Sequence, residues 1–169
     1  LGATIMTVLL LHIDGKLPNL ALMRLAAYFR AAGDRVIHRC VDNPHRLDKI
    51  LDDAPSHDVV YGSLIFERSR PLAERIKERG PAAILGGTGL SLTTTLDDIV
   101  AGLSTGPLDY TDYPMWRQSI GFTQRGCRLR CPFCVVPRKE GAVREEQAIV
   151  EIWRGSPWPR EIILLDNDF

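Results

Sequence analysis

The first hundred residues alternate between short apolar runs and amphipathic stretches. Residues 5–13 form a nearly continuous apolar run, which is typical of a strand buried on both faces of a parallel sheet. After Pro18, the apolar residues Leu22, Leu25 and Phe29 follow the spacing of an amphipathic helix. This pattern predicts a strand and then a helix at the start of the chain.

The same alternation continues to Gly102. Further strands are predicted at 35–39, 58–66 and 82–85, and further helices at 46–51, 71–79 and 95–101. Strands that alternate with helices form a parallel sheet covered on both faces, so residues 1–102 are predicted to be a doubly wound α/β domain. Ligands of such domains bind beyond the carboxyl ends of the strands.

Residues 103–118 show neither helical nor strand periodicity, and their glycine and prolines predict an ordered connector. The alternation then resumes over residues 119–169. A strand is predicted at 119–123, a loop at 124–141, a helix at 143–154 and a second strand at 161–165. This order predicts a βαβ unit after the connector.

Composition narrows the function classes. Among 169 residues, 21 Lys and Arg balance 21 Asp and Glu, and 45% are hydrophobic, as in ordinary globular proteins. The longest apolar run is about half the roughly 20 residues of a membrane helix and lacks the flanks of a signal peptide. We therefore expect a cytoplasmic protein without membrane contact. Overall neutrality also argues against a broad nucleic-acid-binding face.

Three of the four cysteines, Cys127, Cys131 and Cys134, form a CxxxCxxC pattern directly after a predicted strand. Three thiolates from one loop can bind three irons of a cubane and leave the fourth iron open to a substrate. Six cationic side chains and no acid lie between Arg117 and Lys139. Positive charge favours thiolates and offsets an anionic cluster, so the pattern indicates an iron-sulfur site.

Residues 121–141, GFTQRGCRLRCPFCVVPRKEG, resemble the cluster loop of the radical S-adenosylmethionine (radical SAM) enzymes. The RGC…CPFCVVP phrasing is similar to the subgroup with an N-terminal cobalamin-binding domain. The resemblance implies a cobalamin-binding-like domain followed by the first βαβ of a radical SAM partial (β/α) barrel. It implies a 4Fe-4S cluster on the three cysteines, whose open iron binds SAM and whose reduction cleaves SAM to a 5′-deoxyadenosyl radical. A flavodoxin or ferredoxin would supply the electron.

The resemblance also implies SAM contacts. Phe133 would pack near the adenine, and the turn Asp166-Asn167-Asp168, after the second strand, would contact the SAM amino group. Cysteine loop and acidic turn both follow parallel strands, where the active sites of βα-barrels assemble. Taken without the cysteines, such a turn is more often a solvated turn former or a helix cap.

Cobalamin is a further implied cofactor. Ser63 and Gly86-Gly87, after the third and fourth strands, would let a corrin or nucleotide tail approach the backbone. However, the lower-ligand motif of the family, Asp-x-His-x-x-Gly, is absent, since residues 12–18 read HIDGKLP. Two interpretations of the first domain therefore stay open. It could bind cobalamin without a protein imidazole below the cobalt, or it could only pack on the barrel.

Two non-enzymatic modules are alternative interpretations of the cysteine pattern. A zinc site lacks a local fourth ligand, because the nearest candidates lie in the predicted first domain: Cys40, His38, His45 and His57. A CPFC dithiol pair of Cys131 and Cys134 leaves Cys127 unexplained.

Neither the substrate nor the reaction is indicated, and methyl transfer, methylthio transfer, cyclisation and rearrangement all stay open. A full barrel takes on the order of 200 residues, so we expect this chain to be a fragment of a longer enzyme, and an inactive fragment is a third alternative.

Overall fold

The structure is a computed structural model that describes residues 4–53 and 56–168. The chain divides into two compact units, residues 1–112 and residues 113–169. The division falls within the predicted connector, 103–118.

The first unit is built on a four-stranded parallel sheet in the order β2-β1-β3-β4. The strands are β1 (Thr7–Ile13), β2 (Arg35–Val41), β3 (Val59–Leu64) and β4 (Ile84–Gly86). The apolar strand β1 lies inside the sheet with parallel neighbours on both sides, and its residues from Val8 to Ile13 are all buried. The predicted α/β class is confirmed.

Three helices cover the two faces of this sheet: α1 (Leu20–Ala31), α2 (Pro44–Asp53) and α3 (Arg70–Arg79). Alternate residues of β1 point to opposite faces. Leu10 packs with Phe29 of α1, whereas Leu11 packs with Leu47 of α2 and Ile76 of α3. The chain thus leaves β1 and β3 toward opposite faces, which opens a crevice at their carboxyl ends.

The helix predicted at 95–101 is wrong. Only a 3-10 helical turn, Leu96–Asp98, forms there, followed by a second one, Leu103–Thr105. The capping bond is present, because the Thr95 N–H donates to the Asp98 carboxylate at 2.6 Å. The Asp97 carboxylate then accepts from the Ser104 N–H at 2.9 Å and folds the chain back before a helix can extend.

In the second unit, β5 (Ser119–Gly121) pairs in parallel with β8 (Ile162–Leu164), as a βαβ unit requires. Between them, β6 (Gln124–Arg125) pairs in antiparallel fashion with β7 (Arg144–Glu145). The two helices are short: α4 (Val136–Lys139) and α5 (Ile149–Ile152). Within residues 4–53 and 56–168, no helix combines the length and apolar character that crossing a bilayer requires.

The helix predicted at 143–154 is therefore wrong over most of its length. Its first part pairs as β7, and α5 begins only at Ile149. α5 packs closely on β5, since a Cβ on Gly121 would lie 2.9 Å from Ile152 Cγ2. Gly155, with a φ of +82°, ends the segment.

Candidate functional site

The cysteine loop is closed at its base by the β6–β7 pair. Gly126 follows β6 with a φ of +83°, and a Cβ there would lie 2.2 Å from the carbonyl oxygen of Ala142. Only glycine permits so close an approach between the chain at Gly126 and the chain at Ala142. Next to it, the Cys127 N–H donates to the Gly141 carbonyl at 3.3 Å. The loop that carries the cysteines is thus fixed at both ends.

The three loop cysteines are free thiols and are half-buried. The Cys134 N–H donates to the Cys131 carbonyl at 3.0 Å, which sets the tight CPFC turn. The Leu129 N–H donates to Cys127 Sγ at 3.4 Å. Hydrogen bonds to ligating sulfurs stabilise the thiolate and tune the potential of a cluster.

The positions of the three cysteine sulfurs bear on whether the loop could bind a zinc ion or an iron-sulfur cluster. In the part of the chain that the structure describes, the only three ligand side chains whose atoms gather within 4.8 Å are His12, His38 and Cys40. The sulfurs of the cysteine loop are therefore spread more widely than one zinc ion requires. Three thiolates that each bind a different iron of a cubane do not need to converge on one atom.

The acidic turn after β8 is bonded to the cysteine loop and to the residues that lead into it. Asp166 accepts from the N–H groups of Thr123 and Gln124, at 2.8 and 3.3 Å, and from the Thr123 hydroxyl. Asp168 accepts from the N–H and Nε of Arg128, at 3.0 and 3.1 Å. The structure thus brings together two of the sequence-predicted motifs, at the carboxyl ends of β5 and β8.

Glu140 is a residue of this site that sequence reasoning missed. Its carboxylate accepts from the Gly126 N–H at 3.0 Å and from Asn167 Nδ2 at 3.1 Å, and pairs with Arg125 at 3.2 Å. Only 10% of the Glu140 side chain is exposed. The sequence feature that could have indicated this residue is a single acid directly after the basic stretch that ends at Lys139. Burial lowers the pKa of Lys139.

Phe133, predicted to pack near an adenine, is 89% exposed. Leu129, on the same loop, is also exposed. Arg125 lies over the ring of Phe122, with its guanidinium carbon 4.0 Å from the ring centroid. The loop therefore exposes apolar side chains, whereas Arg125 is held by Phe122 and Glu140.

In the first unit, the residues predicted to approach a corrin have internal contacts. Ser63 is buried and its hydroxyl accepts from Asn19 Nδ2 at 2.9 Å. Gly87 has a φ of +100°, and a Cβ there would lie 2.1 Å from the Leu64 carbonyl oxygen. A Cβ on Gly86 would meet no atom within 4 Å, so this residue alone of the three faces open space.

The crevice between β1 and β3 is spanned by Asp14. Its carboxylate accepts from the N–H groups of Ile65 and Phe66, at 3.0 and 3.1 Å. Asp14 has a φ of +60°. This residue stands near the place of the absent lower-ligand motif and links two loops of the sheet edge instead.

Two histidines and a cysteine meet on β1 and β2. Burial, reinforced by the neighbouring His38, lowers the pKa of His12 to about 4, against the effect of Asp14. Burial also lowers the pKa of His38 and raises the pKa of the Cys40 thiol. Sequence patterns did not indicate this convergence, because it depends on how the strands pair.

Comparison with protein-family models, with curated proteins and with solved structures finds no match. Functional assignment therefore depends on the residues of this chain.

Proposed function

We propose that this chain carries the cluster-binding site of a radical SAM enzyme, with a 4Fe-4S cluster on Cys127, Cys131 and Cys134. The observation that carries the proposal is the bonding of the acidic turn to Arg128 of the CxxxCxxC segment by Asp168, and to the residues that lead into that segment by Asp166. Active sites of βα-barrels assemble from loops at the carboxyl ends of the strands, which is where both the cysteine loop and the acidic turn lie.

The bound cluster would supply an electron and an open iron for reductive cleavage of SAM to a 5′-deoxyadenosyl radical. The chain's own residues hold and tune that cluster. The three thiolates bind it, and the Leu129 N–H offsets negative charge on Cys127 Sγ at 3.4 Å. Arg130 and Arg138, within and just after the cysteine pattern, add positive charge.

Within the acidic turn, Asp168 is the side chain proposed to receive the SAM ammonium group. A carboxylate has about four acceptor positions, and each oxygen of Asp168 accepts one hydrogen bond from Arg128. Asp166 accepts three bonds from Thr123 and Gln124 and has less capacity left. Asp166 and Asn167 therefore position the loop, and Phe133 covers the adenine.

The roles of the two units, the electron donor and the reaction are proposed from the resemblance alone. The β5–β8 pair would be the first two strands of a partial barrel, and the first unit a cobalamin-binding-like module in which Gly86 offers the open approach. A flavodoxin or ferredoxin would be the electron donor. The reaction would be methyl transfer or another radical transformation of a substrate that no residue here selects.

Anaerobic reconstitution with iron and sulfide tests the proposal. We expect about four irons per chain and a change in the EPR spectrum of the reduced cluster when SAM is added. Cys127→Ala should lose the cluster, whereas Cys40→Ala, a matched change outside the loop, should keep it. Zinc that the loop cysteines hold in place of a cluster, and that Cys40→Ala therefore retains, would overturn it. A Cys131–Cys134 redox titration that Cys127→Ala leaves unchanged would overturn it as well.

A further inference from the structure

We propose that His12, His38 and Cys40 form a second metal site, which binds one Zn²⁺ in the first unit. The site shares no residue with the cysteine loop and does not depend on the proposed function. Its ligand atoms, the imidazole nitrogens and Cys40 Sγ, all lie within 4.8 Å of one another.

The pairing of β1 with β2 creates this convergence. In the parallel register, His12 lies opposite Cys40, and Leu10 lies opposite His38. Residues two apart on a strand share a face, so His38 and Cys40 point to the same side of β2. His12 is on that same side of β1, since it pairs directly with Cys40. Three ligands therefore meet on one face of two adjacent strands.

The chemistry of the donors favours zinc. One thiolate and two imidazoles are the borderline-soft set that Zn²⁺ binds, at about 2.3 Å from sulfur and about 2.0–2.1 Å from nitrogen. A tetrahedral site with those bonds places its donors roughly 3.3–3.6 Å apart. Because the donors already lie within 4.8 Å, small side-chain rotations are enough to close the site.

The three ligands differ in how far they are exposed. His12 is buried, His38 is half-buried and Cys40 is exposed, so the three ligands lead from the interior to the surface. Gly15 lies beside the innermost ligand, and a Cβ there would come 3.1 Å from His12 Nε2. Its lack of a side chain keeps that face of the imidazole uncrowded. With three protein ligands, the fourth position is open to water or another small ligand.

An anaerobic titration with Co²⁺ tests the site. It uses the full chain in which Cys127, Cys131 and Cys134 are all replaced by Ala, so that only the proposed second site is left to bind the ion. Co²⁺ should bind at one equivalent, with a thiolate-to-cobalt charge-transfer band and visible bands of a tetrahedral ion, and Zn²⁺ should displace it. Cys40→Ser should remove the charge-transfer band, and His38→Ala should weaken cobalt binding at least tenfold. His45→Ala, a change at an exposed residue of α2, is the matched control and should change neither.

Circular dichroism of each variant shows whether the fold is kept, so loss of binding is not confused with unfolding. A folded triple-Ala chain without cobalt bands would overturn the proposal. A charge-transfer band that persists unchanged in Cys40→Ser would overturn it as well.

Discussion

Arg128 donates its backbone N–H and its guanidinium Nε to opposite oxygens of the Asp168 carboxylate, at 3.0 and 3.1 Å. Arg128 follows Cys127 directly, so this pair fixes the acidic turn next to the first proposed cluster ligand. The Arg128 side chain is 70% exposed, whereas only 9% of the Asp168 side chain is exposed, so the pair joins a surface cation to a buried carboxylate. The pair therefore orders the acidic turn beside the cysteine loop.

Replacing the two aspartates of the turn should separate SAM binding from loop ordering. In the reconstituted chain, Asp168→Asn should keep its iron and weaken SAM binding about tenfold, or about 1.4 kcal/mol, because one charge-assisted contact to the ammonium is lost. Asp166→Ala should instead lower the iron content, because the Thr123 and Gln124 donors lose their acceptor. Iron analysis and a SAM titration followed by EPR measure the two effects. The same loss in both variants would contradict the division of roles.

Two glycines at the base of the cysteine loop offer a matched comparison. Both have positive φ, +83° for Gly126 and +76° for Gly141. A Cβ on Gly126 would meet the Ala142 carbonyl at 2.2 Å, whereas one on Gly141 would meet no atom within 4 Å. Gly141→Ala should therefore cost only the strain of the left-handed backbone, about 1–2 kcal/mol. Gly126→Ala should also break the β6–β7 crossing and abolish cluster binding.

Iron content after reconstitution and hydrogen exchange of residues 124–128 check this comparison. We expect fast exchange and little iron in Gly126→Ala, and near-normal values in Gly141→Ala. Equal behaviour of the two variants would show that the close approach to Ala142 does not hold the loop.

Acid should destabilise the metal-free chain partly through His12. Its pKa is about 4 when folded and about 6.5 when unfolded, so below pH 6.5 the unfolded state binds the extra proton. This contribution to stability is complete above about pH 6.5 and is lost as the pH falls toward 4. The full difference is about 3 kcal/mol.

Urea unfolding with EDTA, between pH 7.5 and 4, measures this loss. His12→Gln removes the titrating group, so its stability should fall less steeply with acid than that of the unchanged chain. His45→Gln should keep the original slope. Parallel curves for His12→Gln and the unchanged chain would contradict the assignment.

Local periodicity predicted the strands and the three helices of the first sheet, because the apolar residues of each element follow its own repeat. The apolar run at 5–13 and the helical spacing after Pro18 correspond to β1 and α1. The helix predicted at 143–154 failed because Arg144 pairs across the loop with Arg125. Hydrogen bonds between distant residues leave no trace in local periodicity.

The candidate sites show the same division. The three loop cysteines and the acidic turn could be predicted to lie together, since the carboxyl ends of adjacent parallel strands meet at one sheet edge. The bonds of Glu140 could not, because they depend on how side chains cross between Gly126 and Asn167. The meeting of His12 with Cys40 required the strand register.

The link from Glu140 to Asn167 has a consequence for how the chain becomes competent during synthesis. The cysteines leave the ribosome well before the turn that anchors their loop, because Asn167 follows Glu140 by 27 residues and Asp168 follows Arg128 by 40. Until β8 pairs with β5, the nascent loop lacks these anchors. Translation therefore passes through an interval in which three thiols are present on an unanchored loop.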